Sequence, residues 1–177
     1  MFMIEVEAKV KISNPDKARL QAKKLGKYIG KQTKADDYYS LETRGYPKKS
    51  LRTRKLNGFY QVNFKHWLKN KSKIDTKKEV EFKVSNIEEF LELIHEFGFR
   101  KWISKHKTSE VYEIKKNFHI EINNVHKLGW FLEVEYLATK KEIEKARHEV
   151  MKVIREFGFD EKDIVKSGYT KLLWDKK

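Results

Sequence analysis

The tripeptide Glu-Val-Glu occurs three times, as Glu5-Val6-Glu7, Glu79-Val80-Glu81 and Glu133-Val134-Glu135, each inside a segment of alternating character. Around the first copy, Ile4, Val6, Ala8, Val10 and Ile12 alternate strictly with Glu5, Glu7, Lys9 and Lys11. Side chains two apart on a strand share a face. Three such strands therefore project paired carboxylates to one side of a sheet and drive valines into the other. Arg52 and Arg54 share a face in the same way, as do Gln61, Asn63 and Lys65 opposite Val62 and Phe64, and His119, Glu121 and Asn123 opposite Ile120 and Ile122.

A half-exposed strand with charges in water reads the same for any one segment. Repetition of matched charge suggests something else: strands closing into a barrel, charges inward and apolar faces under helices, with room inside for about one small ligand. The expected fold is α+β, a closed eight-stranded antiparallel β-barrel with a charged interior and helices packed outside. The 177 residues, 39% of them hydrophobic, suit one domain spanning 1–177.

Helix signals punctuate the strands. Asn14-Pro15 caps a short helix with Ala18, Ala22 and Leu25 on one face, ending near Gly26. Ser85 and Glu88 form a capping-box pattern before the stripe Ile87, Phe90, Leu91, Ile94 and Phe97. Thr139 and Glu142 do the same before Ile143, Ala146, Val150, Val153, Ile154 and Phe157. Both later helices end in Glu-Phe-Gly-Phe, with Gly98 and Gly158 suited to a left-handed terminus. Asp36–Tyr39 reads as a strand, Asn57-Gly58 as a hairpin turn and the polar run Lys69–Lys78 as a mobile loop.

The absence of cysteine excludes disulfides, thiolate zinc and a cysteine nucleophile, and fits a reducing compartment. No signal peptide or apolar run of roughly 20 residues is present, so a cytoplasmic protein without membrane contact is expected. The formal net charge of +14 points to an anionic partner, although a Lys/Glu-rich surface with few glycines and prolines also fits a heat-adapted organism. The six histidines show no metal-ligand spacing, and neither a phosphate-binding glycine loop nor a Gly-x-Ser-x-Gly elbow occurs.

Paired carboxylates suit Mg²⁺ or Mn²⁺, and arginines at i and i+2 suit phosphate oxygens. Both in one cavity suggest a metal-bound polyphosphate. On these residues the chain resembles the CYTH family, the triphosphate tunnel metalloenzymes that include class IV adenylate cyclases, thiamine triphosphatases and inorganic triphosphatases. The resemblance rests on Glu5-x-Glu7-x-Lys9, Asp36-x-Tyr38, Leu51-Arg52-x-Arg54, Lys65, Lys77-x-Glu79-x-Glu81, Lys105-x-Lys107, Asn123-x-Val125, Leu128-Gly129, Glu133-x-Glu135 and Tyr169-x-x-Leu172-Leu173.

The resemblance implies an antiparallel eight-stranded tunnel. It makes Glu5, Glu7, Glu133 and Glu135 ligands of Mg²⁺ or Mn²⁺, supported by Glu79 and Glu81. Lys9, Arg52, Arg54, Lys65, Lys105 and Lys107 become substrate contacts, with Lys9, Lys65 and Arg54 the catalytic cations. Three positions depart from the family pattern: Asn123 stands where aspartate is common, Lys107 where arginine is common, and His66-Trp67 where Gly-Pro is common.

The expected activity is metal-dependent hydrolysis of inorganic, nucleoside or thiamine triphosphate. Conversion of ATP to cyclic AMP by a class IV cyclase is the alternative, and a non-catalytic polyphosphate or nucleotide module the third. The carboxylate pairs argue against nucleic acid as the partner, because they repel a phosphate backbone. A homodimer is compatible with the sequence.

Overall fold

The structure is a computed structural model describing residues 3–56, 59–67 and 75–176, with side chains throughout except at 65–67 and 75–79. Eight strands dominate: β1 (Ile4–Lys11), β2 (Lys27–Ser40), β3 (Leu51–Leu56), β4 (Phe59–Trp67), β5 (Asp75–Val84), β6 (Arg100–Lys115), β7 (Phe118–Val125) and β8 (Gly129–Ala138). Helices α1 (Pro15–Leu25), α2 (Ile87–Glu96), α3 (Ile143–Glu156) and α4 (Tyr169–Trp174) accompany them.

All strand pairs are antiparallel, in the order β1-β5-β4-β3-β2-β6-β7-β8, and β1 is hydrogen-bonded to both ends of that run. The expectation of a closed eight-stranded barrel is nevertheless corrected by the register. β1 pairs with β8 over its whole length, Ile4 to Lys11. It meets β5 only from Ile4 opposite Lys78 to Glu7 opposite Asp75, among the described residues. Past that seam, among the described residues, Glu79–Val84 pairs with β4. Further along β1, Val10 bridges to Ile164, and the Val165 N–H donates to the Lys9 carbonyl at 2.8 Å. The strands make a ring held by a short seam, and an irregular segment near the carboxyl terminus pairs with β1 beyond it.

The helices also differ from a uniform jacket. α1 and α3 cover the apolar outer face of β1, β7 and β8, where Val6, Val10, Ile120, Ile122, Leu132, Val134, Val150 and Ile154 are fully buried. Arg19 fixes α1 to β6 by a forked hydrogen bond to Glu110, with Nε and Nη2 at 2.8–3.1 Å from its oxygens. α2 lies over the other side, its Phe90 ring 6.4 Å from Phe82 and His95 6.2 Å from Tyr39. Val80 and Phe82 stay about half exposed there.

α4 is not outside at all. Ile103, Val125 and Phe131 have the same strand parity as the charged residues of β6, β7 and β8, and they pack on Tyr169 and Leu173 of α4. The interior is therefore charged over part of its length and apolar at one end, where α4 fills it.

The local signals fared unevenly. Asn14 caps α1 by accepting from Lys17 N–H at 2.9 Å. Asn86 rather than Ser85 caps α2, accepting from Glu89 N–H at 3.2 Å. Phe97, expected on the core stripe, is the exposed residue ending α2. Thr139 and Glu142 form their capping box over a 3₁₀ turn leading into α3. Gly98 and Gly158 adopt the left-handed conformation, with φ of 88° and 81°. β5 starts at Asp75, so the end of the expected loop is strand, whereas Asn57-Gly58 and the rest of the loop lie outside the described residues.

Candidate active site

The ring encloses a cavity of about 570 Å³. Its walls bring Lys9, Lys34, Arg52, Arg54, Lys105 and Lys107 against Glu5, Glu7, Glu81, Glu121, Glu133 and Glu135. The pairs Glu5/Glu7 and Glu133/Glu135 face this cavity, and Glu5, Glu7 and Glu133 are each 6% exposed.

Register explains which acids meet. In the β1–β8 ladder Glu7 lies directly opposite Glu135 and Lys9 opposite Glu133. Glu5 is two residues from Glu7 on the same face, so one carboxylate oxygen from each of Glu5, Glu7 and Glu135 falls within 4.8 Å of the others. Like charges directly opposite on a sheet are destabilising, and burial in a low dielectric sharpens the cost. The Lys9 ammonium, 3.3 Å from Glu7, offsets part of it. Hard oxygen donors converging this closely fit Mg²⁺ or Mn²⁺.

Glu133, the fourth expected ligand, lines the same cavity but lies outside the 4.8 Å grouping of the other three. Its carboxylate accepts from Asn123 Nδ2 at 3.4 Å and lies 4.0 Å from Lys107. Asn123 thus stands beside Glu133, outside the three-carboxylate cluster. Glu81 is more open, 3.9 Å from Arg52 and accepting from Asn63 Nδ2 at 3.3 Å. The side chains of Lys65 and Glu79 lie outside the described residues.

Two acids, the buried Asp36 and the partly buried Glu121, organise the cationic wall, and neither was among the expected site residues. Asp36 on β2 is directly opposite Arg54 of β3 on one side and Lys105 of β6 on the other. Its carboxylate accepts from Arg54 Nε and Nη2 at 2.6 and 2.9 Å and pairs with Lys105 at 2.9 Å. Burial alone would push the Asp36 carboxyl up, but Lys105 and Arg54 outweigh it and hold it well below the usual carboxylate range.

Glu121 plays the same part lower on β7, accepting from Lys107 at 2.6 Å and Lys34 at 3.1 Å. Burial opposes its ionisation, yet those two ammoniums keep its pKa below the ordinary value. Lys107 is held above its usual value against burial by Glu133 and Glu121. Lys34 behaves oppositely: burial pulls it down and the nearby Lys107 adds to the fall, with Glu121 compensating only partly. Sharing one acid, Lys107 is the stronger partner at 2.6 Å.

Arg52 donates to Gln61 at 3.3 Å, and its buried Nε has no hydrogen-bond partner. A guanidinium held this way retains donors for an anion entering the cavity. Tyr38, Tyr46 and Tyr169 also line the cavity, with the Tyr46 hydroxyl 2.9 Å from Thr170 Oγ1. Lys34 was the least legible contributor. Lys34 sits in a polar stretch without alternation, whereas the face of Glu121, between Ile120 and Ile122, was read from the sequence and only its pairing was not.

Comparison with known proteins agrees with this geometry. The family model for the CYTH domain matches residues 3–169. A candidate adenylate cyclase of Methanocaldococcus jannaschii is 32% identical, over 96% of this chain and 98% of that protein. A Pyrococcus horikoshii protein of known structure superposes with a TM-score of 0.82 at 27% identity, covering 98% of this chain and 99% of its own. A Hippeastrum protein, described as a candidate adenylyl cyclase with dominant triphosphatase activity, shares the fold at a TM-score of 0.67 and 14% identity, over 99% of this chain and 96% of its own. With its carboxylate pairs and basic side chains facing one cavity, the chain belongs to the CYTH domain family.

Proposed function

We propose that this protein is a divalent-metal-dependent triphosphatase, acting on inorganic, nucleoside or thiamine triphosphate. The observation that carries the proposal is the convergence of Glu5, Glu7 and Glu135 within 4.8 Å in the cavity that also holds Lys9, Arg52, Arg54, Lys105 and Lys107. A lone anion site would not place three carboxylates beside its cations. A metal-complexed polyphosphate accounts for both.

Glu5, Glu7 and Glu135 would hold Mg²⁺ or Mn²⁺, with Glu133 instead positioning Lys107. The bound metal supplies Lewis-acid polarisation of phosphoryl oxygens and neutralises their charge. Arg52, Lys105 and Lys107 bind the polyphosphate oxygens, and Lys9 and Arg54 stabilise the charge that develops as the phosphoryl group transfers. Lys65 and Glu79 join these roles on the strength of the sequence pattern. Attack of water on the terminal phosphorus breaks the bond to its bridging oxygen. Orthophosphate and diphosphate leave, and one proton passes to solvent.

The second reading is an adenylate cyclase, favoured by the name of the Methanocaldococcus jannaschii relative at 32% identity. The ATP 3′-hydroxyl would attack the α-phosphorus, releasing diphosphate and cyclic AMP. A cavity of about 570 Å³ lies within the range that accommodates a nucleotide.

The test is release of orthophosphate and diphosphate from inorganic triphosphate, ATP and thiamine triphosphate, in Mg²⁺, Mn²⁺ or chelator. Metal-dependent orthophosphate release is expected. Diphosphate with cyclic AMP would favour the cyclase, and binding without turnover would reduce the site to a polyphosphate-holding module.

A further inference from the structure

Three ion pairs described above approach one aromatic ring. Lys9 pairs with Glu7, Lys105 with Asp36 and Lys107 with Glu121, each on a different carboxylate. The ammonium nitrogens of Lys9, Lys105 and Lys107 lie 5.6, 5.8 and 5.8 Å from the centroid of the Tyr169 ring. Each distance is inside the roughly 6 Å reach of a cation–π attraction.

The hydroxyl of Tyr169 does not explain its place. It is buried facing the Glu133 carboxylate and the Asn123 amide, and its contacts with them fall short of ordinary hydrogen-bond geometry among the described residues. A tyrosine used for its hydroxyl would satisfy that group, since burying it unpaired costs free energy. The ring is what the surroundings use. Phe131 meets it edge-on at 5.0 Å, and Leu173, one turn along α4, anchors the helix in the apolar end of the interior. Together these hold the Tyr169 ring at the boundary between apolar plug and charged cavity.

We infer that Tyr169 is a positioning residue whose ring gathers the ammoniums of Lys9, Lys105 and Lys107 into a single anion subsite. Left to themselves, three like charges spread apart toward their separate carboxylates. The electron-rich ring gives each ammonium a common neighbour that no fourth anion could supply without competing with substrate. Triphosphate then enters a site already arranged, and the ordering cost of three flexible lysines is reduced before binding. This inference rests on the triphosphate reading above.

The test measures binding of inorganic triphosphate by titration calorimetry, in Mn²⁺, to wild type and to variants at 169. Tyr169→Phe keeps the ring and removes only the hydroxyl, and its affinity should stay within about twofold of wild type. Tyr169→Leu keeps much of the volume without the ring's quadrupole, and should weaken binding roughly tenfold, the order that desolvated cation–π contacts supply. Successively fluorinated phenylalanines at 169, nearly isosteric and progressively electron-poor, should weaken binding monotonically. That series keeps the test valid if the leucine variant fails to fold.

Equal affinity across the fluorinated series, or a phenylalanine variant as weak as leucine, would overturn the role of the ring while leaving the triphosphate reading intact. No triphosphate binding by wild type would overturn both.

Discussion

Asp36 holds two buried cations at once, so replacing it with asparagine is the most informative single change for stability. Its side chain is inaccessible, and both Arg54 hydrogen bonds and the Lys105 pair, at 2.6–2.9 Å, depend on its charge. Asparagine keeps one carbonyl acceptor but turns an amide donor toward a cation. Breaking a buried pair on one side typically costs about 3–5 kcal/mol, because the remaining charge is left uncompensated. For 177 residues the unfolding entropy is about 0.37 kcal/mol/K, which converts that loss into a Tm fall of roughly 8–13 °C.

The effect should depend on pH in a definite direction. The native Asp36 carboxyl titrates well below the usual range, while the unfolded one titrates near 3.9. Between those values the unfolded chain holds a proton that the native one lacks, so the stabilisation is complete above about pH 5 and lost as pH falls. The Tm gap between wild type and Asp36→Asn should narrow on acidification from pH 5. Inorganic triphosphate should restore part of the lost Tm at neutral pH, since its oxygens can take over Arg54 and Lys105. Differential scanning calorimetry across pH 3–8 reads all three effects. A loss under about 1 kcal/mol, or a gap that widens on acidification, would refute this picture of the cationic wall.

Other changes test separate parts of the molecule. Glu7→Gln should lower metal-dependent turnover by at least a hundredfold in the phosphate-release assay, while circular dichroism and Tm stay near wild type; unchanged turnover would remove Glu7 from the metal set. Gly26→Ala should destabilise by about 1–3 kcal/mol in urea titration, because a Cβ there would lie 2.9 Å from the Glu113 carbonyl oxygen. A neutral result would mean that β6 can move away at little cost. Glu121→Gln should weaken triphosphate binding and shift its pH dependence through freed Lys34 and Lys107, and an unaltered pH profile would show that the pair does not set their charge.

β1 and β7 were legible because a period of two survives in them, whereas β6 and most of β2 carry no such alternation. Ile4 to Ile12 and Phe118 to Asn123 announce their faces one residue at a time. The inward direction of Glu5, Glu7 and Glu133 followed from that period together with the repetition of matched charge.

Register was not legible, and register decides the site. Both Glu133 and Glu135 were expected beside Glu5 and Glu7, and the closer approach of Glu135 follows from its place directly opposite Glu7. Asp36 looks like an ordinary strand acid until Arg54 and Lys105 are placed on either side of it by β3 and β6. The seam between β1 and β5 was hidden for the same reason, since alternation fixes faces but not how far two strands run together. α4 escaped notice because six residues give too little periodicity to reveal that it fills the interior.

The most direct measurement is a crystal structure with Mn²⁺ and inorganic triphosphate, using the anomalous signal of manganese to locate the ion. The expected result is a peak within coordination distance of Glu5, Glu7 and Glu135, with triphosphate oxygens on Lys9, Arg52, Arg54, Lys105 and Lys107. Manganese bound elsewhere, or triphosphate outside the ring of strands, would contradict the assignment of this cavity as a metal-dependent triphosphate site.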